Sequence, residues 1–199
     1  MKFLDALLGR TKPKQPDLNA LFAVTGAAIT MQASVGLRPS GQAAVAFKPA
    51  SAQTFATTSE EMLELARYSG KSSGTDLRTI DDEYGYRWIV LDDPDLEDLV
   101  TTVHLVNASL ADAGFGSQLL CSVFGFVSEN AASPCHLVYL YKRGSFYPFA
   151  PRPHQRRDNE VELRLRSAMD GELPVEPDLN RWFPVWGLPL DPPWRRDTA

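Results

Sequence analysis

Cysteine is almost absent, limited to Cys121 and Cys135 in 199 residues. Two cysteines make no disulfide framework, so a stapled secreted scaffold is excluded and a reducing cytoplasm is the expected setting. Histidine is as scarce, with only His104, His136 and His154. These five side chains show none of the CxxC, HxH or HExxH spacings that bring ligands onto one metal. Cys135 and His136, as strand neighbours, point to opposite faces. Neither a metal nor a cofactor is expected. Positive charge is not in surplus either: the formal net charge is -5. Phosphate neutralisation needs Lys and Arg in excess on some face, so nucleic acid is not an expected partner.

Marked catalytic motifs are missing as well. There is no GxSxG elbow, and GFGSQ at 114–118 reads as a helix stop followed by strand entry. GKSSG at 70–74 lacks the spacing and the preceding strand of a phosphate loop. The acidic run Asp81, Asp82 and Glu83 reads as a solvated turn. With no nucleophile beside a base, the chain is not expected to be an enzyme. No apolar run is expected to reach the ~20 residues of a membrane span, and MKFLDALLGR is too short and too interrupted by Asp5 for a signal peptide. The expected location is the cytoplasm, with peripheral contact at the inner face of the cell membrane.

What is present divides into three parts. Residues 1–15 form an amphipathic basic segment. Phe3, Leu4, Leu7 and Leu8 share one helical face, and Lys2, Arg10, Lys12 and Lys14 surround it, so these four apolar residues are the candidate docking element for a membrane or partner. Residues 16–170 read as an α+β domain. A helix capped by Asp17 runs from Leu18 to about Ser34 and stops at Gly36. A short strand covers Ala43–Lys48. Thr58 and Glu61 suggest a capping box for a helix to about Ser69, followed by a loop at 70–75. A hairpin spans Leu77–Leu91. Asp93 and Pro94 open a helix to about Ala113 with Leu99, Val103, Val106 and Leu110 on its buried face. Strands at Leu119–Val127 and His136–Lys142 follow, paired so that Cys121 lies near Arg143 and Cys135 near Ser128. The first is apolar on both faces and belongs in the sheet's centre. Asp158 caps a last helix over Asn159–Met169. The result is an antiparallel sheet of about five strands flanked by helices. Residues 171–199 carry six prolines and read as an extended tail packed on the domain, with Trp182, Phe183 and Trp186 either pinning it there or offering a hot spot to a partner.

One cluster suits recognition. Lys142 and Arg143 leave a strand, and Phe146, Tyr147 and Phe149 follow. A basic pair beside aromatic faces can bind an acidic segment or a phosphate head group, and Arg156 and Arg157 can join it. The other reading is a solvated strand end over aromatics that pack the sheet.

Four stretches, MKFLDALLGRTKP at the start, LVYLYKRGSFYPFAP at 137–151, RRDNEVEL at 156–163 and PVEPDLNRWFPVWG at 174–187, occur together with NASLADAGFGSQLLCSVFGF at 107–126. In that combination the chain resembles the actinobacterial PspA-associated proteins, PspAB. The resemblance implies a role beside the phage-shock protein PspA in the response to envelope stress, and it carries over no catalytic residue. The element order separately resembles type III secretion chaperones and YbjN-like proteins, with an extra helix between the first two strands. Three functions follow as expectations: a non-catalytic adaptor or regulator of PspA or another envelope-stress protein, a chaperone-like homodimer that binds unfolded or secreted segments, and an enzyme with an unmarked site.

Overall fold

The computed structural model describes residues 16–128 and 134–190. Phe3, Leu4, Leu7 and Leu8 therefore lie outside the described residues. Asp17 starts the first helical stretch, its carboxylate accepting the Asn19 N–H at 3.0 Å. A 3-10 turn over Leu18–Phe22 runs into helix α1, Ala23–Val35. Gly36 stops it at φ 67°, a left-handed conformation that costs glycine no Cβ clash.

Strand β1, Leu37–Phe47, begins six residues before the expected Ala43. Pro39 and Gly41 disguise its first half, and the register against its partner strand at Leu119–Ser128 shifts between Pro39 and Ala43, which marks a bulge. Helix α2, Gln53–Ser73, corrects both of its expected ends. It starts after Ala52 with no side-chain cap, so the Thr58–Glu61 box is not its start. The expected loop at 70–75 is the helix's last turn, closed by Gly74. Gly70 is required there, because a Cβ would sit 2.6 Å from the Thr75 carbonyl oxygen.

The hairpin forms as β2, Asp76–Asp81, and β3, Arg87–Asp92. Helix α3, Leu96–Leu110, is capped by Asp95 rather than Asp93. Asp93 is instead buried. It accepts the Asp95 N–H at 2.8 Å and the Thr75 hydroxyl at 2.5 Å, tying the end of α2 to the start of α3. Strands β4, Leu119–Ser128, and β5, Pro134–Leu140, come next. A further strand, β6, Ser145–Phe149, occupies the aromatic stretch beyond the last expected strand. A two-residue ribbon, β7 Pro151–Arg152 with β8 Arg156–Arg157, leads to helix α4, Asn159–Ala168, capped by Asp158.

The main sheet is antiparallel in the order β2-β3-β1-β4-β5-β6. The class is α+β, with six strands where about five were expected. Cys121 faces Leu140 and Cys135 faces Phe126, a register two to three residues away from the expected one; both thiols are free and buried.

Five strands, β1 and β3 to β6, each feed two apolar layers. Val45, Ile89, Phe124, Tyr139 and Phe146 face the helices and join Leu99, Val103, Val106 and Leu110 of α3. Asn107 sits among them, its amide donating to the Val103 carbonyl and the Ser122 hydroxyl, each at 2.8 Å. Ala44, Val90, Val123, Val138 and Tyr147 face the other way, under Trp182, Val185, Trp186, Leu188 and Leu190 of the C-terminal segment. A sheet covered on both faces explains why β4 reads as apolar throughout.

Among the described residues, Leu18–Val35 is long and apolar enough to cross a membrane by length and composition alone. That corrects the expectation that no run nears such a length. In the fold Leu21, Val24, Ala27, Ala28 and Met31 of this stretch are buried against the core.

Candidate functional site

The basic and aromatic residues singled out from the sequence separate in space. Lys142 and Arg143 occupy the turn between β5 and β6, and Lys142 is exposed. Arg143 is not a free cation: its guanidinium pairs with Glu176, whose side chain is 1% exposed. The Ser145 hydroxyl donates to the same carboxylate at 3.0 Å. Burial raises the Glu176 pKa, but the Arg143 hydrogen bond, the Asp178 N–H, the Ser145 hydroxyl and the Arg143 charge outweigh it, and the carboxyl ends below its ordinary range.

Phe146, Tyr147 and Phe149 are almost wholly buried. Their alternation in β6 sends Phe146 to the helical layer and the other two under the C-terminal segment. They form no aromatic surface beside Lys142, which corrects the recognition reading. Arg157 is spent inside as well. It donates to Glu162 Oε1 at 3.0 Å and to the Trp182 carbonyl, and it lies 5.4 Å from the Phe149 ring centroid. Arg156 is exposed and reaches the Pro153 carbonyl at 3.4 Å.

Arg143 and Arg157 thus anchor the chain's own tail. The Phe146 N–H donates to the Pro174 carbonyl and the Glu176 N–H to the Phe146 carbonyl, each at 2.8 Å. Trp182 Nε1 donates to the Glu176 carbonyl at 2.9 Å, and the Tyr147 hydroxyl to the Phe183 carbonyl at 2.7 Å. Trp182 is buried, while Phe183 stays 60% exposed.

The surface that sequence reasoning missed is the outer side of α1. Phe22, Gly26, Ile29 and Ala33 follow i, i+4, i+7, i+11 spacing and are all exposed, so they share one face. Ile29 is 72% exposed. No Asp, Glu, Lys or Arg occurs from Leu18 to Leu37. Beside it, α1 and α4 enclose a groove of about 590 Å³ lined by Ser34, Val35, Leu163, Arg164 and Ser167 among others. Leu163 is half-exposed on its wall. A helix apolar all round is either enclosed or meets something that is not water. The charge-free run was the signal available in the sequence; only the fold tells which side of the helix stays open.

Among the described residues, no group of three or more His, Cys, Asp or Glu side chains converges on a point that could hold a metal.

No curated protein and no solved structure matches the chain. Three strands of the main sheet follow α3 where two were expected, so the element order departs further from the chaperone pattern. One family model, PspA associated protein B, matches residues 1–190, nearly the whole chain and every stretch on which the resemblance was read; the chain belongs to the PspA associated protein B family.

Proposed function

We propose that this chain is a non-catalytic adaptor or regulator of PspA in the cell-envelope stress response, acting from the cytoplasm by protein–protein binding. The supporting observation is the charge-free, exposed apolar face of α1, in a family whose description is association with PspA. PspA is the occupant of that face. Burying a side chain such as Ile29 contributes about 1.5–3 kcal/mol, and an apolar anchor of that size ranks as a hot spot.

Ile29→Lys tests the reading. The position is mostly exposed, so the variant keeps the melting temperature of the parent chain. Its capture of purified PspA should weaken by about tenfold or more, since each 1.4 kcal/mol of lost contact is a factor of ten. A folded variant that captures PspA undiminished sinks the proposal for this face. If PspA binding persists while the parent chain proves dimeric and the variant monomeric, the face joins two copies instead, as the homodimer alternative requires.

A further inference from the structure

The layer between the sheet and the C-terminal segment contains a hole with a floor made by sequence. On that side of the sheet, Gly125 of β4 lies opposite His136 of β5, which lies opposite Phe149 of β6. The neighbouring row is filled by Val123, Val138 and Tyr147. At Gly125 the row carries no side chain. None would fit, because a Cβ there would approach the Ser40 hydroxyl oxygen to 2.3 Å and the Gln42 carbonyl to 3.3 Å. The β1 bulge, with Gly41 at φ 77°, brings Ser40 and Gln42 over this gap.

Above it lies a cavity of about 200 Å³, walled by Phe149, Trp186 and Leu188 and reached by Ser40, Gln42 and His136. Phe149 and Trp186 meet edge to face at 5.0 Å, and His136 lies over Phe149 with ring centroids 6.2 Å apart. His136 is 8% exposed, and its Nδ1 is buried with no hydrogen-bond partner. A buried polar atom without a partner is uncommon and costly. The Gln42 amide donates to Asp92 Oδ1 at 2.8 Å.

We propose that this cavity is a binding site for a small uncharged ring compound carrying one hydroxyl group, which hydrogen-bonds to the His136 imidazole. Size sets the ring, since a cavity of ~150 Å³ with apolar walls already takes up benzene. Charge sets the neutrality: among the described residues no Lys, Arg, Asp or Glu lines the cavity, and an unpaired ion could not be held there. Burial also pushes the His136 pKa down to about 4, so the imidazole is neutral and offers one donor and one acceptor nitrogen. The hydroxyl selects, because an apolar ring of equal size leaves the imidazole unsatisfied. The roof is the segment Val185–Leu190, so an occupant also adds contacts between the tail and the sheet. This inference stands on the cavity alone and is independent of the proposed association with PspA.

Phenol and toluene are matched probes, equal in ring and different in the hydroxyl. Titration of the full chain, followed by the His136 imidazole resonances and the Trp186 indole signal, should show phenol binding about five- to tenfold tighter than toluene, the worth of one buried hydrogen bond. Phenol should also raise the melting temperature. His136→Phe should bind the two probes equally. Should that variant not fold, Trp186→Ala, which removes a roof ring, should weaken both probes in the folded chain. The proposal is overturned if phenol leaves His136 and Trp186 unmoved at concentrations that keep the fold, or if toluene binds the parent chain as tightly. Crystals grown with phenol that hold only ordered water against His136 overturn it too.

Discussion

At Glu176 the burial of a carboxylate and the anchoring of the tail are one problem. Its side chain is 1% exposed while Arg143 remains 42% exposed, so solvent screens part of the charge attraction and the hydrogen bonds carry the rest. The sequence showed Arg143 as one more cation at a strand end, where solvation is the ordinary outcome. Its partner lies 33 residues away, a distance that no local pattern spans. Lys142→Ala should therefore leave stability within about 0.5 kcal/mol. Arg143→Ala should cost about 1–3 kcal/mol at neutral pH, because it leaves the buried carboxylate short of a donor. The sign with pH follows from linkage. A depressed carboxyl pKa contributes stability above the ordinary glutamate range, and that contribution is lost as pH falls through the folded value. The gap between parent and Arg143→Ala in urea midpoints should accordingly close in acid. A gap that stays constant down to the acid limit would detach Glu176 from the effect.

Elements were legible where their periodicity was local. The α3 face of Leu99, Val103, Val106 and Leu110 is wholly buried, as 3.6-residue spacing requires. Strand β6 was not legible, because Pro148 sits inside it and proline argues against a central strand. The sheet order resolves this: β6 is the edge of the six strands, with Pro148 paired to Leu137 on one side only. Helix α2 hid its start for another reason. Thr58 and Glu61 carry a capping signature, yet the chain enters the helix at Ala52 with no cap at all, since packing of Phe55 and Met62 in the core outweighs a cap worth ~1 kcal/mol. Val103→Asp tests the α3 assignment. Val103 is fully buried, in the same layer as Val45 and Ile89, so an unpaired charge there should cost on the order of 3 kcal/mol or more. Thermal denaturation that left the melting temperature unchanged would contradict the packing of α3 on the sheet.

For the whole molecule, the two faces of one sheet are closed by different means. Helices close one, and a proline-containing segment whose regular structure is limited to a 3-10 turn at Leu179–Arg181 and a single bridge to β6 closes the other with Trp182, Trp186 and Leu188. The outer side of α1 is one place where apolar surface stays uncovered by the described residues. A separate stretch, 1–15, lies outside the described residues. The i, i+1, i+4, i+5 spacing of Phe3, Leu4, Leu7 and Leu8 is that of one apolar helical face, and an isolated helix of ~12 residues is marginal in water, so docking against the domain, a partner or a membrane surface is expected from the sequence. Each side chain buried is worth ~1.5–3 kcal/mol, less the entropy of ordering the segment. Lys2, Arg10, Lys12 and Lys14 add about 1 kcal/mol each near an anionic lipid surface. Those magnitudes fit weak, reversible docking at an anionic membrane surface. A chain beginning at Gln15 should therefore keep its melting temperature within a few degrees and lose either co-purification with PspA or sedimentation with anionic vesicles. Ile29→Lys in the full chain should lose PspA and keep the vesicles, which separates the two contacts. A large fall in melting temperature on truncation would instead place the segment in the core and leave the α1 face as the remaining docking surface.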